Sequence, residues 1–365
     1  MRKNLFFFAA AALALASCSN DETVAVNESD AISFRPLVNY MTRAADVNLT
    51  TNGFTVTAVN HGSNPETKYF DNVPFSLSDA TYTSATKYYW PETGSLDFYA
   101  YSPSTGAQLS RTDYKTFVVT PSTTAANQID FVYANTNEKT KANSGTGVTI
   151  NFRHAESKIA IKVKNTSADL KFDVTGWKVG YLSSSGTFTY AGSNTDTQNN
   201  ALLDGSYWGS LTTATADTKY ENTFSSQTIP ASTSTETGIS GSTEMILVPQ
   251  NQTAATAYAN SGSPANGDKV NGSYIAVKMT IKSNANDATI VSEGWAIWPV
   301  AFTWVPGKKY TYIVDLAGGG YSETNTDTDE DLDPILGGAE IKFVTVTVDN
   351  WTEESDIVVP AAPAP

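Results

Sequence analysis

Tyr274-Ile275-Ala276-Val277-Lys278-Met279-Thr280-Ile281 is the run on which the fold turns. Ile275, Val277, Met279 and Ile281 recur at every second position, with Ala, Lys and Thr between them. Successive side chains of a strand point to opposite faces, so this spacing lines one face of a sheet; a helix would need repeats of three and four. The same period appears at Ile159, Ile161 and Val163, and at Phe54, Val56 and Ala58 among threonines. Between such runs, residues 183–186, 195–200 and 260–267 are rich in Ser, Thr, Asn and Gly and read as turns and surface loops. The sequence carries no helical stripe of three or more turns. Many short β-runs with polar connections predict an all-β protein of sandwich type rather than a parallel α/β sheet.

A chain of 365 residues is long enough to bury two cores. An internal echo suggests two units. Ile32-Ser33-Phe34 precedes the β-run at Phe54, and Ile150-Asn151-Phe152 precedes the runs at Ile159 and Trp177. The Ala142-Asn143-Ser144-Gly145 turn places the division near Gly147. Cys18 is the sole cysteine, so no disulfide framework supports either unit.

The N-terminus reads as an export signal. Arg2 and Lys3 precede an apolar run at residues 5–16, shorter than the roughly 20 residues a membrane span needs, and so a signal-peptide h-region. Leu15-Ala16-Ser17-Cys18 then reads as a lipobox, in which Cys18 takes a diacylglyceryl group and opens the mature chain. Each buried methylene contributes about 0.8 kcal/mol, and several acyl chains together anchor stably where one would not. Ser19-Asn20-Asp21-Glu22 resembles the acidic stretch after the cysteine in surface-exported lipoproteins of Bacteroidetes. The expected address is the outer membrane and the cell surface. A net charge of -14, from 23 basic and 37 acidic residues, repels phosphate backbones and anionic lipid heads, so nucleic acid is excluded as a partner.

No catalytic centre or cofactor site is expected. His61 lies beside a Gly-Ser-Asn turn and His154 heads a strand, neither with a partner at metal-ligand spacing. His154 reads as an imidazole satisfied by backbone. Asp327, Asp329, Asp331 and Asp333 alternate as Ca²⁺ ligands would, but the sixth position is Leu332 and the twelfth Gly338, which favours a solvated loop tip. Seven tryptophans admit a sugar-stacking platform, although Trp295, Trp298 and Trp304 sit in a run apolar enough to be buried.

A series of short words carries a family resemblance. They are Thr42-Arg43-Ala44, Tyr89-Trp90-Pro91, Leu96-Asp97-Phe98-Tyr99-Ala100-Tyr101-Ser102-Pro103, Asp130-Phe131-Val132-Tyr133-Ala134, Phe152-Arg153-His154-Ala155, Leu247-Val248-Pro249-Gln250, Pro306-Gly307-Lys308-Lys309-Tyr310 and Val346-Thr347-Val348-Asp349-Asn350-Trp351. In this order, from about residue 31 to residue 351, they resemble the fimbrillins, the type V pilus proteins of Bacteroidetes. The resemblance implies two transthyretin-like β-sandwiches in tandem and subunits that polymerise once an arginine-specific protease removes the lipidated N-terminal strand. A strand from the next subunit then fills the groove, by β-augmentation. The implied organisation is a signal peptide at 1–17, a lipidated segment with the removable strand at 18–43, a first sandwich at 44–147 and a second with its tail at 148–365. The implied partners are other pilus subunits, the protease, the outer membrane through the lipid, and a host or glycan ligand.

On that reading residues 31–40 supply the removable strand, with Ile32, Phe34, Pro36, Val38 and Tyr40 on one face. Only Arg35 and Arg43 lie between Cys18 and the first sandwich, and Pro36 makes the bond after Arg35 a poor substrate, so Arg43-Ala44 is the expected cut. The candidate donor strand, residues 341–351, carries Val344, Val346 and Val348 on one face and Ile341, Phe343 and Trp351 on the other; a plain core strand explains it as well, and Ile357-Val358-Val359 is the shorter alternative. The competing reading of the whole chain is a surface lipoprotein that keeps its lipid and binds glycan.

Overall fold

The computed structural model describes residues 31–37, 49–79, 81–104, 106–144, 147–192, 194, 207–255, 271–318, 320–322, 335 and 346–350. Strands dominate, and the α-helix among the described residues is a single turn, Leu49–Asn52 (α1). The first half contributes β1 (Phe34–Leu37), β2 (Phe54–Asn60), β3 (Lys68–Ser78), β4 (Thr81–Thr83), β5 (Leu96–Ser102), β6 (Leu109–Arg111), β7 (Thr116–Val119), β8 (Val132–Lys139), β9 (Val148–Asn151) and β10 (Arg153–His154). One sheet runs β10-β8-β5-β2-β3-β4-β1-β9. In it β3 turns a corner. Residues 68–75 pair with β2 and residues 76–78 with β4, and the register shifts around Asn72, which holds a φ of 56°.

The folded sheet closes on a core that includes Phe54, Val56 and Ala58, as their alternation required. Their neighbours Thr55 and Thr57 are also buried, and Val59 belongs to a second core on the opposite face. β2 is therefore covered on both sides.

The second half contributes β11 (Ser157–Asn165), β12 (Leu170–Leu182), β13 (Gly186–Thr189), β14 (Trp208–Gly209), β15 (Thr215–Ile229), β16 (Thr233–Gly238), β17 (Met245–Leu247), β18 (Asn251–Gln252), β19 (Tyr274–Ser283), β20 (Thr289–Pro299), β21 (Phe302–Thr303), β22 (Lys308–Asp315), β23 (Tyr321–Ser322) and β24 (Val346–Asn350). Two of its sheets run β16-β11-β22-β24, with β17 beside β11, and β15-β12-β19-β20-β23. Ile159, Ile161 and Val163 from the first meet Ile275, Val277, Met279 and Ile281 from the second in one core, together with Trp177, Trp298 and Trp304. Trp295, expected there, lies half-buried on the other face of its sheet, with the Lys178 ammonium 4.2 Å from the ring centroid.

Three features depart from two simple consecutive units. First, β9 and β10 lie past Gly147, yet they pair with β1 and β8 of the first sheet; the chain changes sheets between His154 and Ser157. Second, the echo of Ile32-Ser33-Phe34 in Ile150-Asn151-Phe152 is not a repeat of two units. The two words run parallel in one sheet, with Pro36 opposite Ile150, and are alike because both line the same core. Third, a small sheet ordered β14-β13-β7-β6 joins strands of both halves, with Phe117 opposite Phe188. It caps a core rich in aromatic rings, where Phe188 meets Phe131 at 5.1 Å and Tyr133 at 4.6 Å between centroids.

Candidate functional site: the groove filled by the N-terminal strand

β1 lies inside a sheet, between β4 and β9, although it comes first among the described strands. Its antiparallel contact with β4 sets Phe34 opposite Tyr82. Its parallel contact with β9 sets Phe34, Arg35, Pro36 and Leu37 opposite Val148, Thr149, Ile150 and Asn151. The approach to β1 is bonded as well. The Ile32 amide donates to the Tyr88 carbonyl at 2.7 Å, and the Val148 amide donates to the Ser33 carbonyl at 2.7 Å.

The side chains explain why the strand stays. Phe34 is wholly buried, and its ring stands edge-on to Phe54, Phe75 and Phe98, at 5.7, 4.8 and 5.2 Å between centroids. Ile32 is buried in the same core, whereas Arg35 points to solvent. Gly147, at a φ of 105°, lets the β9 segment approach; a Cβ there would meet the Arg35 Cγ at 2.9 Å and the Ser33 Oγ at 3.3 Å. β9 has no ladder partner other than β1 among the described strands. Removing β1 would therefore leave a void lined by phenylalanines and two unpaired backbone edges, those of β4 and β9.

Cys18, Arg43, Ala44, Ile341, Phe343, Val344, the tail at 352–365 and the aspartates at 327–333 lie outside the described residues. Val346 and Val348 fall in β24, whose backbone pairs antiparallel with β22 at the edge of its sheet, opposite Tyr312 and Tyr310. Of the expected removable strand, residues 31–37 are described and 38–40 are not.

Both histidines have carboxylate neighbours that the sequence did not announce. His154 Nδ1 lies 2.9 Å from the Asp130 carboxylate, with both side chains buried, so a carboxylate rather than backbone satisfies this ring nitrogen. His61 Nδ1 lies 2.9 Å from Asp97 and Nε2 3.3 Å from Glu138; the hydrogen bond to Asp97 raises its pKa. Beside His154, Glu156 is buried and accepts a hydrogen bond from the Phe131 amide at 3.0 Å. Burial pushes the Glu156 carboxyl well above the usual carboxylate range, and the Asp130 charge adds to the shift. Among the described residues no group of three His, Cys, Asp or Glu side chains could hold a metal, and no tryptophan is exposed.

The described residues thus form sheets with β1 held inside one of them. The sequence profile of the fimbrillin-like family matches residues 42–351, and the chain belongs to that family. It is a structural and adhesion family, not an enzymatic one. Among solved structures, a fimbrial protein from Bacteroides vulgatus aligns with a TM-score of 0.58 at 17% identity, covering 88% of this chain and 99% of its own. Candidate cell adhesion proteins from Parabacteroides distasonis and Bacteroides ovatus align at TM-scores of 0.47 and 0.46 and identities of 10% and 16%. Each covers 89% of this chain, and 98% and 99% of its own length respectively. A comparison with curated proteins gives no match.

Proposed function

We propose that this chain is a structural subunit of a surface fimbria, exported as a lipoprotein through its signal peptide and Cys18 and contributing to adhesion. Its two halves act as transthyretin-like sandwiches, and assembly exchanges its N-terminal strand for a strand of another subunit. The observation that carries this reading is the seating of β1 between β4 and β9, with Phe34 in a socket of three phenylalanines. Such a strand satisfies the groove of its own subunit and denies it to others. While tethered, it competes at an effective concentration in the millimolar range, typical of short flexible linkers.

The position of the arginines supports Arg43-Ala44 as the cut that ends this protection. Arg35 lies in the ladder with β9 and precedes Pro36, so a protease that takes an extended, unpaired segment cannot engage it without pulling the strand out. Arg43 follows the strand and precedes two alanines. A cut there severs β1 from the rest of the molecule while leaving the groove intact.

For the incoming strand, the sequence offers a spacing match. Ile341-Lys342-Phe343 repeats the pattern of Ile32-Ser33-Phe34, and it directly precedes Val344, Val346 and Val348. From a second subunit it would bring an isoleucine and a phenylalanine to the sites that Ile32 and Phe34 leave.

The test is Arg43→Ala. The variant should accumulate on the surface as a folded, lipidated monomer and give no filaments by electron microscopy, while the wild-type mature protein begins at Ala44. Filaments of normal yield from the variant would overturn the reading of this cut.

A further inference from the structure

His61 follows β2 directly and carries a carboxylate on either side of its ring. Its backbone amide donates to the Ser95 carbonyl at 2.9 Å, which sets the ring beside the start of β5. Nδ1 lies 2.9 Å from both oxygens of Asp97, a buried residue of β5. Nε2 lies 3.3 Å from Oε1 of Glu138, an exposed residue of β8. These two carboxylates are the charged groups that act on the imidazole. A neutral imidazole has one N–H and donates to one of them; the imidazolium donates to both. With its single proton on Nδ1 for Asp97, a neutral ring turns a lone pair on Nε2 toward Glu138, acceptor against acceptor.

Glu138 sits where the backbone is strained. The register of β5 with β8 shifts between Leu96 and Phe98, so Asn137 and Glu138 together stand against Asp97 in a β-bulge. Glu138 holds a φ of 58°, in the left-handed region that is costly for a residue with a Cβ. Both amides of the bulge go to side chains, Asn137 to Asn194 Oδ1 at 2.7 Å and Glu138 to Asp97 Oδ1 at 2.8 Å. Asp97 therefore serves the ring and the bulge together. From Glu138 the bonding runs on toward β9. Asn143, in the 3-10 turn Lys141–Asn143, donates to the Glu138 carbonyl at 3.4 Å and accepts from the Thr140 amide at 2.8 Å. The Gly147 amide donates to the Ser144 carbonyl at 2.9 Å, and Val148 then opens β9 with its bond to Ser33.

We infer that His61 is a proton-operated lock on the end of β8: charged, it ties β2, β5 and β8 through both carboxylates; neutral, it releases Glu138 and slackens the lead into β9, the strand that holds β1. The hydrogen bond to Asp97 raises the His61 pKa against the lowering effect of desolvation, and the charges of Asp97 and Glu138 add to the rise. With a raised folded pKa, the tie is complete below the unfolded value near 6.5 and is lost as pH rises through the folded value. β1 is thus seated more firmly in mild acid than in alkali.

The experiment is an NMR titration of the full chain in detergent with labelled histidine. The chain has two histidines, and His61→Gln assigns the signals. The His61 midpoint should lie above 6.5, and Glu138→Gln, a change at an exposed side chain, should move it down. Hydrogen exchange at the Val148 amide, corrected for the intrinsic effect of pH, should then lose protection between mild acid and alkali in the wild type and change less in Glu138→Gln. A midpoint at or below 6.5, or one that Glu138→Gln leaves in place, would overturn the lock. Val148 protection with the same pH dependence in both proteins would overturn its reach to β9.

Discussion

Burial of Ile32 and Phe34 together contributes roughly 3–6 kcal/mol to holding the N-terminal strand, at about 1.5–3 kcal/mol for each large apolar side chain. Alternation alone marked these two residues as inward-facing, and they are. What alternation cannot show is which surface a side chain meets, so the three phenylalanines around Phe34, drawn from β2, β3 and β5, were illegible. The same holds for His154. Its Asp130 partner lies on a segment 24 residues away and becomes its neighbour only through the pairing of β10 with β8. Glu156 supplies a prediction at this scale. Its folded pKa is raised, so its contribution to stability is full below the unfolded value near 4.5 and is lost as pH rises through the folded value. Glu156→Gln keeps an oxygen to accept from the Phe131 amide and cannot ionise. Between pH 5 and pH 9 its Tm should therefore fall less than that of the wild type, by about 2–4 °C for each kcal/mol recovered. Superimposable Tm profiles would show that the folded pKa of this carboxyl is not raised above its unfolded value.

Strands whose apolar residues alternate cleanly were legible, and others, including β15 with its 15 residues, were not. β19, β11 and β2 each show their period within one run, because the signal is local to the strand. β1 and β9 have four residues each and find each other across more than a hundred positions, so nothing local foretold their parallel pairing. β7 and β13 are just as short, and their pairing joins the halves that the sequence separates. Phe188 tests that junction. It is wholly buried between Phe131 and Tyr133, and Phe188→Ala should cost about 3–5 kcal/mol, as truncation of a buried phenylalanine does. Because the small sheet takes strands from both halves, the loss should lower a single denaturation midpoint. Backbone circular dichroism and tryptophan fluorescence should report the same shift. Two separated transitions, with only one of them moved, would mean that the halves unfold independently.

The whole molecule is an acidic chain of the fimbrillin-like family, built of strands among its described residues, with β1 folded into its own sheet. At this scale the family was readable early, because the order of the short words constrains it, and the family profile matches residues 42–351. The seat of the N-terminal strand is different. It is a property of topology, and on the proposed assembly it decides whether the chain closes on itself or joins another. An open pair of sheet edges is a template for pairing, so the chain without β1 should not remain a quiet monomer. The most direct measurement is to prepare the chain from Ala44 onward and follow its size by light scattering, alone and with an excess of synthetic peptide covering residues 31–40. Alone it should polymerise or aggregate; with the peptide it should stay monomeric, and a peptide carrying Phe34→Ala should fail to protect it. A truncated chain that stays monomeric at native thermal stability without any peptide would contradict the account.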